Sequence, residues 1–348
     1  MIPSQRRKNR SMSVAFSPPV ALRFLEAVLL FVLFFHGSLA LADTFPETTL
    51  PPTLVEMLEY IPAASRPLLD AEGFLSEDAG KEYFYEDDEA GRYLYLHQNL
   101  CVIISRYRDE SIPLEWFETD IRTRNYERFR TVFSDPKNPG LHYQFPYTLS
   151  RQAGFVLGFS DDFFADRVKR KVRVGVVLRN GQLLTDSIHP VRNHFLPNLD
   201  MMALFPDGSC QVYEANEITG QELLTLGAVN VLSFGPILIR DGQIDPIVEY
   251  YKALAPRQAL GMIEPNHFFL LTVLGRRKDS AGSNLLEMSR LMLARGVTQA
   301  LNLDGGNTVA LVFRGRMLNK LGTYNNQTFV RTVPSLLGIG YTESMPAD

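Results

Sequence analysis

Residues 301–313 read LNLDGGNTVALVF: an apolar run, then Asp-Gly-Gly-Asn-Thr, then a second apolar run. This pattern predicts a strand that ends at Leu303, a tight turn and a second strand that begins at Thr308. Asp and Gly are favoured in turns for their own backbone reasons, so a purely structural turn accounts for the composition. Two adjacent glycines also let a ligand approach the main chain, whose N–H groups can bind an oxyanion. Asp304 would then supply a carboxylate beside that concavity, and the stretch alone leaves both interpretations open.

The same turn chemistry recurs along the chain and predicts its fold class. Asn-Gly and Asp-Gly between β-rich runs are strong hairpin signals, because both central positions of a type I′ turn need positive φ. Hairpin turns are predicted at Asn180-Gly181, Asp207-Gly208, Asp241-Gly242 and Arg314-Gly315. Helices are predicted around residues 57–69, 217–226 and 283–296. Together these elements predict an α+β fold, with antiparallel-rich mixed sheets, several β-hairpins and a few flanking helices.

The N-terminus has the organisation of an export signal. Basic residues precede the short apolar run 27–35, and Ala40-Leu41-Ala42 stands just before Asp43. This arrangement describes a secretory signal peptide in residues 1–42. An uncleaved membrane anchor is the alternative, but the strict apolar run is shorter than the ~20 residues that span a bilayer. We therefore expect a secreted or periplasmic bacterial protein with no stable membrane insertion after cleavage.

Charge and cysteine content restrict the partners of the mature chain. Removal of residues 1–42 takes five basic residues and one acidic residue from the 35 Lys+Arg and 39 Asp+Glu of the whole chain, which leaves a formal charge of −8. A net-acidic chain without a long basic block is a poor candidate for binding nucleic acid. Cys101 and Cys210 form no metal-binding signature; outside the cytosol they either pair or remain buried thiols.

The mature chain divides into an extension and one domain. Residues 43–96 begin with a segment rich in Pro and Thr and contain the acidic run Glu86-Asp87-Asp88-Glu89, which is most simply a solvated loop. No Pro/Gly-rich linker interrupts residues 97–342. We therefore expect residues 43–96 to be an N-terminal extension and residues 97–342 to form a single domain.

Two further segments contain candidate chemistry. In LGFSDDFF, residues 157–164, Asp161 and Asp162 stand between aromatic residues, which favours a partly buried pocket rim where the pKa of a carboxyl group rises. Arg257 precedes the predicted strand 267–274. It is either an ordinary surface base or a residue that clamps a phosphate at the entry to a strand.

These motifs together resemble the phosphodiester glycosidase domain family. The segment SFGPILIRDG at residues 233–242, the segment RQALG at 257–261, and the helix 283–296 followed by LNLDGG occur in the family's order. The resemblance covers residues 97–342. The run SDDFF at residues 160–164 is similar to an Asn-Gly-Asp-Phe-Phe-like motif of the family, with Ser for Asn and Asp for Gly. The run LDGGNT at residues 303–308 is similar to Leu-Asp-Gly-Gly-Gly-Ser.

The resemblance implies an activity and a set of site residues. It implies a hydrolase that cleaves the glycosidic bond of a sugar-phosphate diester or a related envelope glycan, and its bacterial relatives are associated with exopolysaccharide. Carboxylates would act at C1 of the sugar, while an arginine and the Gly-Gly backbone would hold the phosphate. The expected catalytic residues are Asp304, Asp162 and Arg257. The expected substrate-binding residues are Gly305, Gly306, Asn307, Thr308, Ser160, Gly235 and Arg331.

Two other functions stay open at this point. The chain would be a glycan-binding or exopolysaccharide-assembly protein without turnover if its motif departures have removed catalysis. It would be a metal-dependent phosphodiesterase if Asp162 and Asp304 bind a divalent cation through their oxygens. For the glycosidase we expect no resident cofactor, and we expect a carbohydrate or sugar phosphate as the partner.

Overall fold

Antiparallel sheets build the fold, and every pairing between the described strands is antiparallel. The computed structural model describes residues 50–125, 127–186, 198–320, 322–323 and 328–345. The expected signal peptide, residues 1–42, lies outside these ranges. The helices are α1 (Pro52–Glu59), α2 (Pro146–Ala153), α3 (Phe164–Lys169), α4 (Gly220–Thr225) and α5 (Leu285–Ala294). No described helix has the length and apolar character needed to cross a membrane.

The strands form one large sheet and two smaller ones. In chain order they are β1 (Tyr83–Asp87), β2 (Arg92–His97), β3 (Leu100–Asp109), β4 (Leu114–Thr123), β5 (Arg130–Phe133), β6 (Leu157–Phe159), β7 (Val176–Arg179), β8 (Gln182–Asp186), β9 (Asp200–Leu204), β10 (Cys210–Tyr213), β11 (Asn230–Phe234), β12 (Ile237–Arg240), β13 (Gln243–Ile244), β14 (Arg257–Glu264), β15 (His267–Val273), β16 (Gln299–Asn302), β17 (Leu311–Phe313), β18 (Arg316–Met317) and β19 (Ser335–Ile339). The nine-stranded sheet has the order β1-β2-β3-β4-β15-β14-β16-β12-β13. The five-stranded sheets have the orders β10-β9-β11-β7-β8 and β18-β17-β6-β19-β5.

The α+β fold class is confirmed, and each predicted hairpin turn joins two paired strands. At three of the turns both central residues have positive φ, as a type I′ turn requires: Asn180-Gly181, Asp241-Gly242 and Arg314-Gly315. The turn at Asp207-Gly208 differs, because only Gly208 has positive φ. There the Asp207 carboxylate accepts a hydrogen bond from the Ser209 backbone N–H at 3.0 Å, which stabilises a different turn.

The opening stretch connects two sheets and does not form a hairpin. β16 pairs with β14 and β12 in the nine-stranded sheet, whereas β17 pairs with β6 and β18 in a five-stranded sheet. The second strand begins at Leu311, because Gly306–Thr308 form a 3-10 turn. Asp304 and the two glycines therefore occupy a crossing point between sheets.

Several local predictions need correction. The first helix begins at Pro52 and ends at Glu59, earlier than predicted, because Pro51 and Pro52 start it and Pro62 follows it. The acidic run from Glu86 is not simply solvated: Glu86 and Asp88 pair with arginines of the β17–β18 hairpin. The boundary that the sequence suggests between residues 96 and 97 falls inside β2, which pairs with β3. The described part of the expected extension is thus continuous with the large sheet.

The core lies mainly between the nine-stranded sheet and the two smaller sheets. The opposite face of the large sheet is covered by α1 at one end and by α5 at the other. Cys101 and Cys210 are buried free thiols, which settles their pairing state in the structure. Burial raises the pKa of both thiols.

Candidate active site

Asp304 follows β16 at a point where three segments meet. Its backbone N–H donates to the carbonyl oxygen of Asp161 at 3.2 Å, just beyond β6. On either side of it, Leu303 donates to the Gln258 carbonyl at 2.9 Å and Gly306 donates to the Pro256 carbonyl at 2.9 Å. Main-chain bonds to two sheets therefore fix the position of Asp304.

Asp304 is a partly exposed residue whose carboxyl group has a strongly raised pKa. Its Oδ1 accepts a hydrogen bond from the Gly305 N–H at 3.0 Å. Burial raises its pKa to about 6, against the opposing effects of the Thr308 hydroxyl and of the Arg331 and Arg167 guanidinium groups. The group is therefore an ionised carboxylate at neutral pH that takes up a proton under mildly acidic conditions.

Gly305 and Gly306 allow close packing around Asp304. A Cβ on Gly305 would lie 2.9 Å from the Pro256 carbonyl oxygen, and Gly306 has a φ of +65°. A Cβ on Gly306 would lie 3.1 Å from an Arg276 guanidinium nitrogen. Both glycine N–H groups already have acceptors within the protein. The structure thus does not show the open backbone cradle for phosphate that the sequence suggests.

Two arginines flank this glycine pair. Arg257 begins β14 and donates to the backbone carbonyl of Ala253 at 3.1 Å. Within the described ranges no carboxylate lies within 4.0 Å of its guanidinium group. Its pKa is lowered by burial and then by the neighbouring Arg276. A bound anion would relieve this repulsion between two cations.

Arg331, Thr308 and Asn307 surround Asp304 on its C-terminal side. Arg331 donates to the Thr308 hydroxyl at 2.9 Å, and its guanidinium group lies over the Phe163 ring at 5.0 Å. The Asn307 side-chain oxygen accepts a hydrogen bond from Arg276 at 2.9 Å. Asn307 and Thr308 are thus both held by arginines next to the carboxylate.

Asp162 occupies a different setting from Asp304. Its side chain is fully buried, and Oδ1 accepts a hydrogen bond from Arg179 at 2.7 Å while Oδ2 accepts one from the Ser233 N–H at 2.8 Å. A second guanidinium group, that of Arg167, lies 3.9 Å from Oδ2. Arg179 is fully buried as well. This network joins the segment after β6 to β7 and β11, and it leaves Asp162 without access to a substrate.

Ser160 and Gly235 are also enclosed by the protein. The Ser160 hydroxyl donates to the Thr308 carbonyl and accepts from the Ala310 N–H at 2.8 Å. Gly235 donates to the Asn302 carbonyl at 3.0 Å and accepts from the Asn302 amide at 2.8 Å. Both residues are buried, and their bonds support the strand ends next to Asp304.

Four residues of the cluster were missed or not selected from the sequence. Asp161 is buried, and burial together with Asp162 raises its pKa to about 6. The other three are arginines whose importance comes from burial or from contacts between distant segments: Arg167 and Arg179 lie at Asp162, and Arg276 bonds to Asn307. Gly275-Arg276 directly after an apolar strand was a usable signal, whereas nothing local distinguishes Arg167 or Arg179 from surface arginines.

The residues described contain no group of three or more His, Cys, Asp or Glu side chains placed to hold a metal ion. Near Asp304 the dominant side chains are arginines. Their chemistry suits an anionic ligand, because guanidinium groups bind phosphate and carboxylate oxygens through paired N–H donors.

The sequence profile of the phosphodiester glycosidase family matches residues 153–340, more than half of the chain. The chain therefore belongs to the phosphodiester glycosidase family.

The chain is also similar to individual known proteins. The chain is 30% identical over 145 residues to the SPbeta prophage-derived uncharacterized protein YomE of Bacillus subtilis. That match covers 40% of this chain and 22% of the relative, so the chain spans less than a quarter of its length. The fold is similar to the catalytic domain of zebrafish N-acetylglucosamine-1-phosphodiester alpha-N-acetylglucosaminidase, auto-inhibited by its pro-peptide. The TM-score is 0.53 at 15% identity, over 76% of this chain and 89% of the zebrafish domain.

Proposed function

We propose that the protein is an exported hydrolase that cleaves the glycosidic bond of a sugar-phosphate diester. Asp304 acts at C1 of the sugar, and Arg257, Arg276 and Arg331 hold the phosphate. The observation that carries the proposal is the carboxylate of the partly exposed Asp304, whose pKa is raised to about 6 and which lies near Arg331, with the Arg257–Arg276 pair beside the adjoining Gly305 and Gly306. Export rests on the signal peptide expected in residues 1–42.

The chemistry of this bond explains why one carboxylate suffices. Cleavage of the C1–O bond releases a phosphate monoester, and water supplies the hydroxyl group that remains on C1. Phosphate is a good leaving group when guanidinium groups share its charge, so no general acid is needed. The remaining requirement is a carboxylate that attacks C1, activates water or stabilises the oxocarbenium-like transition state.

The proposal changes the roles expected for some residues. Asp162, paired with Arg179, holds the segment after β6 in place and does not contact the sugar. Ser160 and Gly235 act in the same supporting way. Gly305 and Gly306 allow Arg257 and Arg276 to approach the loop, so phosphate binding depends on the arginine side chains. Asn307 and Thr308 contact sugar hydroxyls or set the orientation of the arginines bound to them.

The test is hydrolysis of UDP-sugars in ¹⁸O-labelled water. Cleavage of the C1–O bond places the label in the sugar, whereas attack at phosphorus places it in the phosphate. We expect label in the sugar and a loss of at least about 10³-fold in kcat for Asp304→Asn. Asp78→Asn, a change at an exposed carboxylate, is the matched control. Label in the phosphate, in a reaction that chelation abolishes, would establish the metal-dependent phosphodiesterase. Glycan binding without any turnover would establish the non-catalytic protein.

A further inference from the structure

A cavity with charged residues in its lining lies on the face of the nine-stranded sheet that α1 and α5 cover. It has a volume of about 290 Å³. Its floor is formed by β3, β4 and β15, and its walls by residues of α1 and by the end of α5. Asp304 lies beyond β16 and is bonded to the segment after β6, on the other side of the sheet. The cavity is thus separate from the site described above.

Charged side chains form its floor where the same sheet face is otherwise apolar. Glu118, Asp120 and Arg122 alternate along β4 and therefore point to one face. On this face α1 packs against Ile103 and its neighbours, and α5 packs against Phe269 and its neighbours. Glu118 and Asp120 are only 8% and 7% exposed. Burial of a charge to this extent costs folding free energy unless the charge is paired. Buried charged groups of this kind cluster at functional sites.

The cavity offers both acceptors and a donor. The Asp120 carboxylate accepts from His267 at 3.1 Å and from the Thr53 hydroxyl at 3.2 Å. The Glu118 carboxylate accepts from Trp116 at 3.0 Å and pairs with Arg295 at 2.7 Å. A carboxylate has about four acceptor positions, so each retains capacity for a ligand.

Arg122 supplies the donor. Its side chain is 26% exposed, so the outer N–H groups of the guanidinium would meet a ligand, whereas its buried Nε has no hydrogen-bond partner in the described chain. The Asp120 Oδ1 lies 3.6 Å from it, which is within ion-pair range but too long for a hydrogen bond.

Charge balance indicates which ligand fits. The lining residues include Glu56, Glu118 and Asp120 against Arg122 and Arg295, which gives a charge of −1 with His267 neutral and zero with it protonated. The cavity therefore has no excess positive charge for an anion, in contrast to the surroundings of Asp304. Hydroxyl groups donate and accept at once, and they match carboxylates that stand beside a guanidinium donor. The volume is near the lower limit for small-molecule sites and suits one sugar unit.

We propose that this cavity binds an uncharged sugar unit of a glycan, independently of the Asp304 site. Trp116 provides a specific reporter, because it is the only tryptophan of the chain and contacts both Glu118 and Tyr107. Glucose, galactose, mannose and N-acetylglucosamine are titrated into the purified protein while tryptophan fluorescence is recorded. Glucosamine and glucose 1-phosphate test for cationic and anionic ligands.

We expect a saturable fluorescence change with at least one uncharged sugar, and the same change in the Asp304→Asn variant. Asp120→Asn should weaken that binding at least tenfold. Ser105→Leu is a second test, which serves if Asp120→Asn does not fold. It places an apolar side chain in the lining without removing an ion pair, and it should abolish binding. Asp78→Asn should bind normally. No saturable response to any uncharged sugar, unchanged affinity in Ser105→Leu, or tighter binding of glucosamine or glucose 1-phosphate would overturn the proposal.

Discussion

The backbone N–H of Asp304 donates to the backbone carbonyl of Asp161 at 3.2 Å, which joins the end of β16 to the segment after β6. The two strands belong to different sheets. The carboxylate proposed to act at C1 is therefore placed by main-chain contacts, and its position does not depend on a flexible loop. The pKa of Asp304 and the charged side chains of neighbouring residues give predictions that separate a catalytic role from a structural one.

Activity should rise with pH through about 6. The pKa of Asp304 is raised to about 6, so the carboxylate is protonated at pH 5 and ionised at pH 7. Because the proposed role needs the ionised form, kcat/KM for a UDP-sugar should increase about tenfold per pH unit below pH 6 and then level off. The measurement is a pH profile of initial rates from pH 4 to pH 8. A profile that is flat across this range would contradict the role of Asp304.

Asp304→Asn should stabilise the fold above pH 6. The carboxyl group binds its proton more tightly in the folded than in the unfolded chain, since its pKa is raised from 3.8 to about 6. The folded state thus holds more protons between these values, and its free energy of unfolding falls as pH rises from about 4 to about 6. The variant lacks this penalty and should be about 1–3 kcal/mol more stable at pH 7, with allowance for the partial exposure of the group.

Urea denaturation of the wild-type protein and of Asp304→Asn at pH 4 and pH 7 measures this difference. The two proteins should converge at pH 4, where the carboxyl group is protonated in the folded state. A variant that is less stable than the wild-type protein at pH 7 would show that Asp304 supports the fold.

Arg257→Gln should weaken phosphate binding. Arg257 has no carboxylate partner among the described residues, and its pKa is lowered by burial and by Arg276, so the wild-type pair favours an anion. We expect KM for a UDP-sugar to rise at least tenfold and inhibition by inorganic phosphate to weaken by a similar factor. Arg290→Gln, at an exposed position on α5, is the control. Unchanged phosphate inhibition in Arg257→Gln would remove this residue from the phosphate site.

Asp162→Asn should act on stability first. The change leaves the fully buried Arg179 without its carboxylate partner, and loss of one member of a buried pair costs about 3–5 kcal/mol. Asp166→Asn removes a surface ion pair with Arg170 and should cost less than about 1 kcal/mol. Chemical denaturation compares the two variants. If Asp162→Asn kept wild-type stability and lost kcat, Asp162 would return to the catalytic role that the sequence suggests.

Much of the fold was predictable from turn chemistry. Pairs such as Asn180-Gly181 and Asp241-Gly242 specify local geometry through positive φ, so the hairpins and the α+β class follow from short stretches. The course of LNLDGGNTVALVF was not predictable in this way. β17 pairs with β6, about 150 residues earlier in the chain, and local residues do not identify so distant a partner.

The residues of the candidate site were likewise predictable only in part from the sequence. Asp304 could be selected as a candidate because a carboxylate next to two glycines is unusual within apolar runs, and Arg257 because it belongs to a motif. The pairing of Asp162, which the sequence suggests as catalytic, was not predictable, since Arg179 reaches it from β7. Arg276 also escaped prediction, because its contact with Asn307 crosses between two loops. Burial and contacts between distant segments decide such roles, and neither is visible in a local pattern.

The pairing of β4 with β15 has a practical consequence for anyone who expresses this protein. The region that matches the family begins at residue 153, yet β15 is bonded along its whole length to β4, residues 114–123. A chain shortened to the matched region would present a bare, apolar strand edge of seven residues, which is a template for association between molecules. The region that matches the family is therefore shorter than the region needed for a soluble, monodisperse preparation.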